Sequence, residues 1–397
     1  MTAVLPAWSQ TPNPHLVPHP VRLASGKTFS LNLPPGFDIS IAAEGLHRVR
    51  FLTPSPDGRI FATDMHDLSD NRLGAVYILN GFNPKTGKFA TVRPWLRRLR
   101  NPNNVAFYRD ANGRQWLYLP LTDRLLRYRY APGETVPTSA PEVLATYPDY
   151  GLSYKYGGWH LTRTVAFGQE NGVDKLYVAV GSSCNECEEK EEIRATLSVM
   201  DPDGKNPHIL ARGLRNAVGL RYVNGTLYGT NMGADHLGDD APDDTMFALD
   251  SNQRADGETR NYGWPYCYFK DGKVLPDSHF PNSPKRVDCA QVPLALTTFA
   301  AHGAPLGLEY FGSESNSELR DSFLVALHGS SKIELGRGYR LARVTAGLPP
   351  QDFLTGFLKD GVVYGRPCGI LRLGPDAFLF TDDHSGVIYY VHRRQAP

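Results

Sequence analysis

Four short segments of the chain concentrate side chains that can do chemistry. In Gly157-Gly158-Trp159-His160-Leu161-Thr162-Arg163 a histidine follows two glycines and precedes an apolar run. Imidazole titrates near neutrality, so His160 suits general-base work, although a single histidine also serves as ordinary structure. In Gly213-Leu214-Arg215-Asn216-Ala217-Val218-Gly219-Leu220 the Arg215 fork matches carboxylates, and Asn216 brings both a donor and an acceptor. Side by side, the pair can hold a planar polyanion or bridge two structural units. The stretch Asp235-His236-Leu237-Gly238-Asp239-Asp240-Ala241-Pro242-Asp243-Asp244 carries five carboxylates in ten residues, and Asn261-Tyr262-Gly263-Trp264-Pro265 follows it. Such hard oxygen ligands suit calcium, a solvated acidic loop has the same composition, and the spacing is not that of an EF-hand. His302, His328 and Arg366 complete the set, in HGAP, ALHGS and GRPCG.

These residues need a frame, and the chain repeats one. A small or apolar segment, a turn rich in Gly, Asp or Asn, and a short β run recur at Phe51–Asp64, Asn104–Asp123, Thr164–Ser183, Ala217–Met232, Leu306–Gly329 and Gly369–Asp383. Apolar and polar residues alternate on both sides of each turn, the period of a half-buried strand. One hairpin cannot bury both faces, but copies stacked radially share a core and protect their edges. The spacing predicts an all-β, six-bladed propeller over residues 31–397, after an N-terminal extension over 1–30. A large insertion falls in the fourth to fifth blade region, between Met232 and Leu306, and would hide any seventh blade. The turns after the second strands carry Asp64, Asp123, Ser182, Ser183, Asn231, His328 and Asp382, as strand caps or as a polar ring around one channel mouth.

Composition narrows the class. With 42 Lys+Arg against 41 Asp+Glu, no global field draws nucleic acid or an anionic membrane. The cluster Arg93, Arg97, Arg98 and Arg100 reads as a solvated strand edge, and the acidic run from Glu186 to Glu192 as a solvated loop. No apolar stretch approaches the roughly 18 residues that span a bilayer. Residues Met1–Pro20 lack a signal-peptide layout, which suits a cytoplasmic protein or a mature form. Five cysteines allow at most two internal bridges. Cys267 and Cys289 flank a Pro- and Asp-rich stretch and suit a staple. Cys184 and Cys187 form either a short-loop bridge or a thiol pair, and with no second CxxC a four-thiolate zinc site is not expected. HExxH, GxSxG and GxGxxG are all missing, so nothing points to ATP, NAD or a serine nucleophile.

The ordered strings HLTRTVAFG, GSSCNEC, GLRNAVGL, DHLGDDAPDD, NYGWP, HGAPLGL, ALHGS, GRPCGI and GVIYYV resemble the soluble PQQ-dependent sugar dehydrogenases, the glucose/sorbosone dehydrogenase family. The L-sorbosone dehydrogenase-like branch is the nearest in pattern, and the resemblance runs from about Leu33 to His392. It implies a six-bladed propeller with a quinone flat across the channel mouth, over calcium. It makes His160 the catalytic base, with Arg215 beside the quinone's reactive oxygen. It implies Arg215, Asn216, Arg366, His328 and Arg163 as cofactor contacts, and Leu237, Gly238, Asp239, Tyr262 and Asp235 as calcium ligands, largely through backbone oxygens. The sequence departs from the glucose branch at His328, where that branch has a lysine, at Tyr364, where it has an arginine, and at Ser182-Ser183-Cys184, where it has Gly-Asp.

The expected activity is oxidation of an aldose, sugar alcohol or sugar aldehyde, with electrons passing to an external quinone, cytochrome or dye. The resemblance also implies a periplasmic or secreted protein. Two other classes suit the same frame, a calcium-dependent propeller lactonase and a non-catalytic propeller that binds a sugar or a protein. The Arg215-Asn216 pair and Arg366 favour the quinone, because a hydrolase needs no polyanion clamp.

Overall fold

The chain folds into six sheets arranged as a propeller, five of them four-stranded and antiparallel and the third widened to five strands. The structure is a computed structural model and describes residues 14–149, 160–249, 259–316 and 318–394. Within them regular structure is β-strand, apart from one-turn 3-10 helices at Cys289–Gln291 and Ile333–Leu335. The first two strands of the blades are Val49–Pro54 and Ile60–Asp64, Ala106–Arg109 and Gln115–Pro120, Arg163–Glu170 and Val173–Val180, Leu220–Val223 and Thr226–Asn231, Pro305–Phe311 and Ser322–Leu327, and Pro367–Gly374 and Ala377–Asp382. Each pair lies within one of the six sequence repeats or starts at most two residues before it, so the repeat predicted from the sequence is the inner half of a blade.

The turns explain why these hairpins form. Gly58, Gly113, Gly172 and Gly225 sit at positive φ at the tips of the first four, and Asn171 and Asn224 precede two of them in the same left-handed region. The alternation expected of half-buried strands does not persist in the second strands. Ile60–Asp64 and Ser322–Leu327 are buried at every residue, because each is covered by a neighbouring blade on both faces.

Two devices close the ring. The strand Phe37–Ala43 pairs antiparallel with Val387–Arg393, Ile39 opposite Val391, so the sixth blade takes its outer strand from the start of the chain. Around the channel, threonines donate from blade to blade: Thr63 Oγ1 to Asn103 O (2.5 Å), Thr164 Oγ1 to Val218 O (2.7 Å), Thr230 Oγ1 to Leu306 O (2.7 Å) and Thr381 Oγ1 to Arg50 O (2.6 Å). Gly219, Gly307 and Gly369 line the same seam, where a Cβ would run into the backbone of the next inner strand. A hairpin, Val17–Arg22 with Thr28–Leu33, packs Leu31 and Leu33 against Phe37, Phe353 and Phe357.

The insertion lies between the third and fourth strands of the fourth blade, Asp244–Ala248 and Thr297–Phe299. Arg260–Asn261 adds in parallel to the outer strand of the third blade, His208–Arg212. A hairpin, Cys267–Lys270 with Lys273–Pro276, follows, and a Cys267–Cys289 disulfide fastens it. Its Phe269 packs with Leu210, Phe247 and Tyr262 where the third and fourth blades meet. Cys184 and Cys187 are also bridged, and Cys368 is a buried thiol. Arg93, Arg97 and Arg98 are exposed at the edge of the first blade, as expected of a solvated cluster. Arg100 is not: it is buried and ion-paired with Asp70 and Asp149.

Candidate active site

His160 sits at φ 50, just before the inner strand of the third blade. Gly157, Gly158 and Trp159 lie outside the described residues. The ring is anchored through Nδ1, which lies 3.1 Å from Ser182 O and 2.9 Å from Ser182 Oγ. Ser182 Oγ already donates its hydrogen to Cys184 O at 2.6 Å. Both groups facing Nδ1 are therefore acceptors, so Nδ1 carries the proton and the ring's lone pair is on Nε2. Burial, and next the Arg215 guanidinium, push the His160 pKa well below its ordinary value. The ring is a neutral base whose tautomer is set by the end of the next strand.

Gly181 lets His160 and Asn216 meet. A Cβ at this position would lie 2.6 Å from His160 Cβ and 2.7 Å from Asn216 Oδ1. We expect Gly181→Ala to lower kcat by about 100-fold, the scale of a misplacement near 1 Å, and to cost about 1–3 kcal/mol of stability through overpacking. Parallel turnover and thermal-melt measurements on the variant check this, and a variant with full turnover would show that His160 tolerates displacement.

Arg215 and Asn216 are buried, and Asn216 N–H donates to Asn231 Oδ1 at 3.0 Å. The Arg215 guanidinium is fixed by Asn185 O (2.8 Å), Asn185 Oδ1 (2.8 Å) and Gly233 O (2.7 Å). Asn185 is one of the two residues between the bridged cysteines and also accepts from Trp264 Nε1 at 3.2 Å, so the CNEC and NYGWP strings form one support for Arg215. The acidic run divides: Glu188 and Glu189 pack into that support, while Glu192 stays solvated as its charge suggested. Glu189 accepts from Ser183 N–H and Oγ, and Glu188 from the Tyr266 hydroxyl at 3.1 Å.

Arg163, expected among the cofactor contacts, is fully buried below His160. Its Nη1 donates to His160 O (2.8 Å) and Thr162 O (3.1 Å), and the guanidinium faces the Tyr147 ring at 5.8 Å. Burial brings its pKa down to about 9. It positions the backbone that carries the histidine.

On the fifth and sixth blades, His328 Nε2 lies 2.7 Å from Asp383 Oδ1. The fully buried Asp383 also meets Arg50 Nη1 at 2.5 Å and Arg48 Nη1 at 3.2 Å. Arg366 donates to Gly329 O (2.8 Å), Ser330 O (3.0 Å) and the Tyr339 hydroxyl (3.0 Å), and stacks over the Tyr339 ring at 4.8 Å. One carboxylate among two guanidiniums and an imidazole leaves excess positive charge here. Arg48, Asp383 and Asn185 were not among the residues singled out for the site, whereas Ser182 was expected only as a member of the polar ring of strand-end turns. Their signal was weak, since Arg48 and Asp383 fall at repeat edges and Asn185 is an ordinary polar residue.

Three of the five expected calcium ligands, Asp235, Gly238 and Asp239, take side-chain partners. His302 joins two of them, Nδ1 at 2.9 Å from Asp235 Oδ1 and Nε2 at 2.8 Å from Gly238 O. Asp239 takes Lys332 Nζ on its carboxylate (2.5 Å) and Arg337 on its carbonyl, and Arg337 also pairs with Asp240. Leu237 is half-buried between them. Tyr262 is buried against Phe247, ring centroids 4.7 Å apart. The residue that does organise this corner is Asp244, whose carboxylate accepts from Gly233 N–H (2.7 Å) and Ala304 N–H (2.8 Å), with burial raising its pKa to about 7.

A family model described as TrAA12-like matches residues 31–353. No curated protein matches the chain. Among solved structures it is similar to the iodide structure of the Trichoderma reesei Carbohydrate-Active Enzymes Family AA12 protein, at TM-score 0.72 and 17% identity over 98% of this chain and 100% of that one. It is similar to the holo form of the pyranose dehydrogenase PQQ domain from Coprinopsis cinerea, at TM-score 0.71 and 19% identity over 92% and 97%. It is similar to the soluble aldose sugar dehydrogenase from Escherichia coli in its apo form, at TM-score 0.61 and 14% identity over 90% and 100%. At such identities these likenesses are of fold.

Proposed function

The chain belongs to the TrAA12-like family, and from that premise we propose that it is a quinoprotein sugar dehydrogenase that uses PQQ and His160 as general base. The carrying observation is the meeting of His160, with its lone pair on Nε2, and the Arg215-Asn216 pair over Gly181.

The donor chemistry fits a planar tricarboxylate. Arg48 Nη1 is a buried guanidinium nitrogen with no hydrogen bond among the described residues, and among these residues Asp383 alone is ion-paired with Arg48 and Arg50. Arg48, Arg366 and His328 would hold carboxylates on one side, and Arg215 and Asn216 the opposite edge. When bound, the quinone supplies the two-electron acceptor for the hydride that leaves the sugar carbon. The protein's part is proton transfer and placement. His160 Nε2 accepts the hydroxyl proton as the carbon–hydrogen bond breaks, Ser182 keeps the ring in the required tautomer, and Arg163 holds its backbone.

A calcium ion at this loop would have to displace the side chains that now hold three of its expected ligands. The oxygens of Asp235, Gly238 and Asp239 are engaged by His302, Lys332 and Arg337, so the positive charge at this corner comes from side chains and no step is assigned to a metal. The substrate class is an aldose, sugar alcohol or sugar aldehyde, and an external acceptor reoxidises the cofactor. Two disulfides suit a periplasmic or secreted protein, and no helix is long and apolar enough to cross a membrane.

The test is an absorption titration with PQQ, with and without calcium, followed by a sugar panel and a dye acceptor. Saturable binding and sugar-dependent dye reduction are expected. Absence of both would exclude the reading, and lactone hydrolysis without PQQ would replace it with a hydrolase.

A further inference from the structure

Behind the support for Arg215, four ionisable side chains from three separate segments converge. Glu186 comes from the disulfide loop, His236 from the acidic loop, and Asp277 and His279 from the end of the insertion hairpin. His236 Nε2 lies 2.8 Å from Asp277 Oδ2, and His279 Nδ1 lies 3.2 Å from Asp277 Oδ1. The two imidazoles meet edge to face with centroids 4.6 Å apart. One ligating atom from each of His236, Asp277 and His279 lies within 4.8 Å of the others. Zinc ligands at about 2.0–2.2 Å in a tetrahedron stand about 3.4 Å from one another, so a small inward movement suffices.

The second contact of each ring points the same way. His236 Nδ1 faces Glu186 Oε2 at 3.5 Å, and His279 Nε2 faces Glu186 Oε1 at 4.0 Å. Metal-bound histidines commonly turn their other nitrogen to a carboxylate that fixes ring orientation and raises basicity, and Glu186 stands where such a group must be. His236 Nδ1 is buried and has no hydrogen-bond partner among the described residues. The Asp277 side chain is 3% exposed. His236 and Asp277 line a cavity of ≈ 30 Å³, room for an ion or a water or two.

We propose that His236 Nε2, His279 Nδ1 and the Asp277 carboxylate bind one divalent transition-metal ion, zinc, with Glu186 orienting both rings. Two imidazoles and one carboxylate suit zinc, whereas calcium takes an all-oxygen shell. The ion ties the insertion hairpin and the acidic loop to the disulfide loop. Asn185, next to Glu186, holds Arg215, so the ion braces the active site without touching the reacting atoms. The proposal does not depend on the quinone reading.

Chelator-treated full-length protein, free of PQQ, is titrated with zinc chloride by calorimetry and with cobalt(II) by visible absorption. We expect one equivalent of zinc, unaffected by excess calcium, and cobalt bands of low-coordinate geometry. His279→Ala, at an exposed residue, should lose that equivalent while the metal-free melting temperature stays that of the parent. Glu186→Gln should keep the stoichiometry with about 10–100-fold weaker affinity. No stoichiometric zinc uptake by the parent, or equal affinity in both His279→Ala and His236→Gln, overturns the site and leaves a hydrogen-bonded His-Asp-His network. Because PQQ is absent, either outcome leaves the dehydrogenase reading untouched.

Discussion

His160→Ala should lower kcat for sugar oxidation by about 10²–10⁴-fold, the usual contribution of a placed general base, while PQQ binding stays near that of the parent. The split follows from the geometry. The groups suited to the cofactor's carboxylates are Arg48, Arg366, His328, Arg215 and Asn216, and none of them takes a hydrogen bond from the His160 ring, which is anchored on Ser182. Removing the imidazole therefore removes the proton acceptor and leaves the anion site. Dye-reduction kinetics and a PQQ absorption titration on the same preparation separate the two effects. The pH dependence has a definite sign. The neutral ring is the active form, and burial first and Arg215 second lower its pKa. More acid is then needed to protonate it, so kcat/KM should stay level through neutrality and fall only well below the ordinary histidine value of about 6.5. An acid limb at or above that value, or full turnover in His160→Ala, would remove His160 from the mechanism.

The blades were legible because their signal is local. A turn such as Asn171-Gly172 needs two left-handed residues, and the runs beside it are short and apolar, so the hairpin is written within some twenty residues. Ring closure was not legible, because Phe37–Ala43 finds its partner in Val387–Arg393, and nothing in either strand names the other. The site divides the same way. His160, Arg215 and Asn216 stand beside inner strands, so the repeat itself pointed to them. Asn185 holds Arg215 only because a disulfide loop and Trp264 fold around it, a three-segment arrangement with no one-dimensional signature. The surroundings of Arg163 were not legible for a related reason. The resemblance placed it among the cofactor contacts, and its burial beneath the His160 backbone, facing Tyr147, is a packing relation that its place in the sequence does not show.

Asp383→Asn should cost about 3–5 kcal/mol of stability, the penalty for leaving buried cations without their counter-charge. The carboxylate is fully buried and meets Arg50 at 2.5 Å, His328 at 2.7 Å and Arg48 at 3.2 Å. An asparagine has similar volume and keeps one acceptor oxygen, but it brings no charge and turns an amide donor toward cations. The damage would fall on the seam that closes the ring. Arg50 also donates to Asn103 Oδ1 at 3.1 Å on the second blade, and its carbonyl accepts from Thr381 Oγ1 on the sixth. Denaturant unfolding of parent and variant measures the cost, and its pH dependence identifies the cause. Burial alone would raise the Asp383 pKa, but His328, Arg50 and Arg48 together hold it well below the carboxylate range. A folded pKa below the unfolded value of about 3.9 gives stability that is fully present above that value and is lost as pH falls through the folded pKa. The difference between parent and variant should therefore be constant near neutrality and shrink only in strong acid. A variant within about 1 kcal/mol of the parent at neutral pH would mean that Arg48 and Arg50 find other counter-charges, and that Thr381 and the paired terminal strands hold the ring closed without Asp383.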